Sequence, residues 1–334
     1  MAAGSSPFRL YRKSAEALIG DSPKLELLYE NAEYPFAHEA GVFIVDDDKL
    51  FVTSNRYDDP ETGQPKITIT RIDLSTDREI VTCEVIEAPG VPMANGGVNY
   101  KEGILFCAQG TLQIPGGLVY MESQPPHRTQ NLISSFHGRD FNSVNDVVVH
   151  SDGSIWFTDP IYGWEQGIRP KPRLPNQVYR YDPETGSIRA IADGFGRPNG
   201  ICFSPDEKTV YITDTDWIHG GSGGSDDTRP SHIYAFDIML VSDQPFLTNR
   251  RLFAMADTGI PDGIKCDVHG NVYSGCGDGV NIWTSGGVLV AKILVEGGVA
   301  NFCFGRNGDM YLLNEHKLWK AQLASSTKGA LLRI

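Results

Sequence analysis

Apolar and polar positions along the 334-residue chain fall into a recurring unit: a small or polar residue, an apolar strand, a turn rich in Asp, Gly or Asn, and a second strand carrying aromatics. Six copies align, beginning at His38, Ala94, Val144, Pro198, Pro261 and Val299. Each reads as a β-hairpin. In the third, Val147, Val148 and Val149 form one strand, Ser151-Asp152-Gly153 the turn, and Ile155, Trp156 and Phe157 the return. Most copies are followed by a further strand pair, as at Val178–Tyr181 with its Asp182–Gly186 turn, or at His232–Phe236. Units of about four strands spaced roughly 40 to 60 residues apart predict propeller blades, each sheet burying its faces against its neighbours around a central channel. The expectation is an all-β fold: a single six-bladed β-propeller domain over residues 1–334, with the N-terminal ~20 residues an extension or part of the closing blade.

Length alone would allow two domains at about 150 residues each, but a repeat overrides that count. The 36 glycines and 20 prolines, spread along the whole chain, suit short strands and tight turns. The balance of 29 basic against 42 acidic residues gives a net charge of −13, which repels polyphosphate backbones and argues against a nucleic-acid partner. Cys83, Cys107, Cys202, Cys266, Cys276 and Cys303 form no CxxC pair and lie mostly on apolar runs, so they read as reduced and buried. Met1–Asp21 holds no apolar stretch ahead of a cleavage site, and the longest apolar run, near Val288, is broken by Lys292. The chain is expected to be cytoplasmic, without a membrane partner. Nothing in the sequence bears on self-association.

The second residue of each copy is Glu39, Asn95, Asn145, Asn199, Asp262 or Ala300. Equivalent residues of propeller blades point to the same place, so five oxygen-bearing side chains converge on the channel. Oxygen ligands select a hard cation, and two acids with neutral amides suit Ca²⁺ more than Zn²⁺; Mn²⁺ and Mg²⁺ are the other candidates. Asn and Asp also start strands simply because they cap turns. Turn chemistry, however, has no reason to place Glu39 in register with the others.

The segment Phe141-Asn142-Ser143-Val144-Asn145-Asp146, running on through Phe157-Thr158-Asp159-Pro160 and Tyr162-Gly163, resembles the SMP-30/gluconolactonase family. Arg197-Pro198-Asn199-Gly200 and Tyr211-Ile212-Thr213-Asp214-Thr215 do so as well. The resemblance spans about Glu39 to Leu318. It implies a six-bladed propeller with a catalytic divalent cation held by Glu39, Asn145, Asn199 and Asp262. Asn95 is outside that set and is expected to line the pocket or reach the ion through water. Two positions depart from the pattern: Val144 replaces a usual Pro, and His38-Glu39-Ala40-Gly41 replaces Glu-Gly-Pro. Both are expected to alter the pocket floor, so sugar-lactone specificity does not carry over.

The expected chemistry is opening of a lactone, with the cation polarising the carbonyl and a base assisting water. Asp262 is the first candidate base because the resembling enzymes use the corresponding carboxylate. His38, beside Glu39, is the competitor, ahead of His316, while His150 and His269 fall in hairpin turns away from the channel end. Two insertions, Ile161–Asn176 and Trp217–Pro230, are long enough to cover a site, or are tolerated surface loops. Within them Tyr162, Trp164, Arg173 and Trp217 are candidate substrate contacts, Arg173 for a carboxylate. The Gly221-Ser222-Gly223-Gly224-Ser225 stretch lacks the strand-turn-helix setting of a nucleophile elbow, which argues against a serine triad. A metal-dependent isomerase, a phosphotriesterase and a non-catalytic calcium-binding propeller are the alternative readings.

Overall fold

A computed structural model describes residues 6–75, 81–221 and 224–334; Ser222 and Gly223 of the second insertion lie outside them. Each of the six sequence copies forms the two innermost strands of an antiparallel sheet, and the strands that follow it add outward in chain order. Blade one is Glu39–Ile44, Lys49–Thr53, Ile69–Asp73 and Thr82–Ile86. Blade two starts at Ala94–Tyr100, blade three at Val147–Val149, blade four at Pro198–Phe203, blade five at Ile264–Cys266 and blade six at Asn301–Phe304. The innermost strand of blade one packs against those of blades two and six, which closes the ring. The fold is a six-bladed β-propeller, as the repeat predicts.

The N-terminal region is shared between two blades. Phe8–Leu10 adds a fifth strand to blade five by pairing with Leu289–Leu294. Lys24–Glu30 becomes the outermost strand of blade six by pairing with Lys317–Gln322. Joining the chain's beginning to its last blade ties the ring shut through backbone hydrogen bonds and covers a sheet edge.

The hairpins follow from local chemistry. In the third copy Gly153 takes φ +85°, where a side chain would be strained, and Ser154 N donates to Asp152 Oδ1 at 2.8 Å. Alternate residues of each strand then bury against the neighbouring blade. Between blades two and three, Phe141 meets Phe157 edge-on while Phe157 stacks on Tyr179, packed with Val98 and Leu105. Lys292, which breaks the longest apolar run, is buried and ion-paired with Asp278 at 2.7 Å and with Asp257. No helix among the described residues is long and apolar enough to cross a membrane.

Candidate metal and substrate site

One end of the channel opens into a cavity of about 580 Å³. Glu39, Asn95, Asn145, Asn199, Asp262 and Ala300, one from each blade, all line it, so the sequence register becomes a ring in space. The five polar members are more than nine-tenths buried.

A second repeated position holds this ring in place, and the sequence reading passed it over. Thr53, Thr158 and Thr213 lie at the last or next-to-last position of the second strand of their blades, in the corresponding runs Phe51-Val52-Thr53, Trp156-Phe157-Thr158 and Tyr211-Ile212-Thr213. Each is fully buried and donates its hydroxyl to the backbone carbonyl of the ring residue in the next blade. The acceptors are Asn95 O at 3.0 Å, Asn199 O at 2.7 Å and Asp262 O at 3.1 Å. The residue after the threonine anchors its own blade: Asp159 accepts from Asn142 N and Ser143 N, and Asp214 from Gly196 N and Arg197 N. The recurring Thr-Asp pair in the return strands was the available signal.

The ring's side chains are incompletely satisfied. Asn145 Oδ1, Asn199 Oδ1 and Asp262 Oδ1 are buried without a hydrogen-bond partner. Orphaned buried oxygens are costly unless an ion or water meets them. Glu39, Asp262 and a ring nitrogen of His38 lie within 4.8 Å of one another. Burial, and then the charge of Asp262, push the Glu39 carboxyl up to about 8. Burial raises Asp262 to about 6, against the opposing pull of His38. A divalent cation between these groups would relieve the crowding of negative charge and satisfy the orphaned oxygens, so the donor set fits a hard cation.

His38 is clamped from outside the ring. Its Nδ1 hydrogen-bonds Glu315 Oε1 at 2.7 Å, and Asn55 Nδ2 donates to the same carboxylate at 3.2 Å. Burial disfavours the imidazolium, yet the charge and hydrogen bond of Glu315, with Glu39 and Asp262 behind them, outweigh it and raise His38 to about 10. His316, next to Glu315, is exposed and turned to Asn31 O. His150 sits in its hairpin turn beside Asp152 and Glu207.

The two insertions form one wall of the cavity. Tyr162 opens a short helix, Tyr162–Glu165, and lines the cavity with its hydroxyl bound to Thr215 Oγ1. Trp217, Ile218, His219, Gly220 and Gly221 follow along the rim, with Trp217 Nε1 donating to Asp227 Oδ1 at 2.9 Å. Arg197 ties the insertions together: its guanidinium binds Glu165 and Asp216, and Glu165 Oε2 accepts from Gly220 N at 2.9 Å.

Some expected contacts fall elsewhere. Arg173 is exposed and absent from the cavity lining, as is Trp164, and the guanidinium that does reach the cavity is Arg56. Val144 and Ala40 are fully buried between blades and do not line the cavity, whereas His38 and Glu39 of the same first-blade motif do. Ala40 instead takes φ +66° at a register shift just after Glu39. The local strain sits beside a ring residue.

The family described as SMP-30/Gluconolactonase/LRE-like region matches residues 65–314. The chain belongs to this family. Among its relatives is the lactonohydrolase oryH of Aspergillus oryzae, 37% identical over 90% of this chain and 77% of that protein. The lactonohydrolase oryL of the same organism is 28% identical over 88% of this chain and 68% of its own length. The solved structure of a Xanthomonas campestris gluconolactonase superposes with a TM-score of 0.74 at 27% identity, covering 96% of both chains. An Agrobacterium tumefaciens regucalcin, described as a calcium-binding protein, shares the fold at a TM-score of 0.63 and 15% identity, over 92% of this chain and 95% of its own.

Proposed function

We propose that this SMP-30/gluconolactonase family member is a metal-dependent lactonase, its ion, Ca²⁺ by preference, held by Glu39, Asn145, Asn199 and Asp262. The observation that carries the reading is the ring of buried, unpartnered oxygens at the base of an open cavity, in a chain whose relatives include two lactonohydrolases. The cavity above the ring favours a catalytic ion over a closed structural one. When bound, the cation supplies a Lewis acid for the lactone carbonyl.

The chain's own groups handle the proton. Asp262, which lines the cavity, accepts it from the attacking water. His38, clamped by Glu315 and within 4.8 Å of Asp262, delivers a proton to the ring oxygen as the C–O bond breaks. Water and lactone thus become a hydroxy acid. Tyr162 and Trp217 flank the substrate, and Asn95 lines the floor.

Arg56 narrows the substrate. It lines the cavity with Nε buried and unpartnered, while Nη2 reaches Asp58 at 2.9 Å. No other lysine or arginine lines the cavity among the described residues. A lactone bearing an acidic group would therefore find its counter-charge there. The six free thiols, with Cys202 and Cys266 in Sγ-to-Sγ hydrogen-bond contact at 3.8 Å and no disulfide between them, support a reducing compartment such as the cytoplasm.

The test is hydrolysis of neutral sugar, aromatic and carboxylated lactones and of a phosphotriester by Ca²⁺-loaded protein, followed by acid release. Lactone turnover supports the proposal. Turnover of the phosphotriester alone, or of no substrate despite stoichiometric metal binding, would defeat it.

A further inference from the structure

The ring has a second layer. The residues that follow the six ring positions are Ala40, Gly96, Asp146, Gly200, Gly263 and Asn301. Four are small, and at least one must be: a Cβ on Gly263 would lie 2.3 Å from Asn301 Cγ. Two polar side chains fill the space so left. Asp146 is occupied with backbone, accepting from Val147 N at 2.9 Å and Ile201 N at 3.0 Å. Asn301 is directed at the ring: it is fully buried, and its Nδ2 donates to Glu39 Oε2 at 2.7 Å. Its Oδ1 accepts from Phe302 N at 2.8 Å and from Lys265 Nζ at 3.2 Å. Both donors point the same way, so they fix which end of the amide faces Glu39.

Blade six contributes Ala300, a residue with no side-chain ligand atom, to the ring. We infer that Asn301, one residue on, is that blade's contribution: a positioning residue that occupies Glu39 Oε2, leaves Oε1 for the ion, and is itself oriented by Lys265. The inference rests on the proposed metal site. Restricting Glu39 to one oxygen keeps coordination positions on the cation free for water and substrate. Hydrogen bonds to ligating carboxylates orient them and raise affinity, and their removal typically weakens metal binding by about 10 to 100-fold.

The experiment is calorimetric titration of ion-free protein with Ca²⁺ for wild type, Asn301→Leu and Lys265→Met, alongside the melting temperature of each ion-free form. Asn301→Leu keeps the volume and removes both hydrogen-bonding ends; Kd is expected to rise by about 10 to 100-fold. Lys265→Met leaves Glu39 its donor but loosens the amide, with a smaller rise of up to about tenfold. A purely structural role would lower the ion-free melting temperature and leave Kd in place. Should Asn301→Leu fail to fold, Lys265→Met decides. Wild type that binds Ca²⁺, with variants matching its Kd within about twofold, overturns the inference alone. Wild type that binds no divalent cation overturns the metal site beneath it.

Discussion

The ring at the base of the cavity and the wall above it are built by different means. The ring repeats: each member lies at or beside the start of an inner strand, and threonines of neighbouring blades pin several of them through their backbone carbonyls. The wall does not repeat. It comes from two insertions joined by the ion pairs of Arg197. Backbone pinning fixes atoms that must meet an ion closely, whereas side-chain tethers allow loops to differ in length and content. The ring should therefore govern the chemistry, and the wall should govern what enters.

Variants can break or sharpen that division. Asp262→Asn removes the proposed proton acceptor from the ring, and kcat should fall by about a thousandfold with little change in melting temperature. Stopped-flow or steady-state lactone hydrolysis checks the first, and thermal unfolding the second. Arg197→Ala leaves Glu165 and Asp216 without their buried partner; the expected loss is about 3 kcal/mol, with a raised KM as the rim loosens. An unchanged KM beside a collapsed kcat would move Arg197 from wall to ring.

Smaller effects discriminate more finely. Arg56→Gln should lower kcat/KM about tenfold for a carboxylated lactone, an effect of about 1.4 kcal/mol, and spare a neutral one. Equal losses on both would deny Arg56 a part in selecting charge. Thr213→Val strips the hydroxyl that binds Asp262 O and accepts from Gly200 N at 2.7 Å. A cost of about 1 to 2 kcal/mol in urea unfolding is expected, with weaker Ca²⁺ binding than in wild type. A stability loss without a change in affinity would mean that the pin serves the fold alone.

The sequence made the ring legible because its members recur at one register, and register in a propeller translates directly into position. Glu39 through Asp262 reach the same cavity for that reason. Asn301 escaped notice because it lies one place off the register, where its neighbours are mostly glycine. Glu315 was passed over for His316: the two make the turn between Asp309–Asn314 and Lys317–Gln322, with Glu315 at φ +58°, and only the structure shows that Glu315 faces His38. Arg173 and Arg56 show the limit in the wall. Both are arginines in connecting segments, and which guanidinium reaches the cavity depends on loop paths that no repeat encodes. The N-terminal strands were equally opaque, since Phe8–Leu10 and Lys24–Glu30 join different blades through edge pairing that leaves no local motif.

The central claim is that the ring works by holding a divalent cation. Its most direct test is hydrolysis of a lactone substrate by EDTA-treated protein, before and after stoichiometric Ca²⁺ is restored. Activity should vanish on chelation and return with the ion, while the circular dichroism spectrum shows the propeller intact throughout. Full activity in protein shown by elemental analysis to be free of metal would contradict the account.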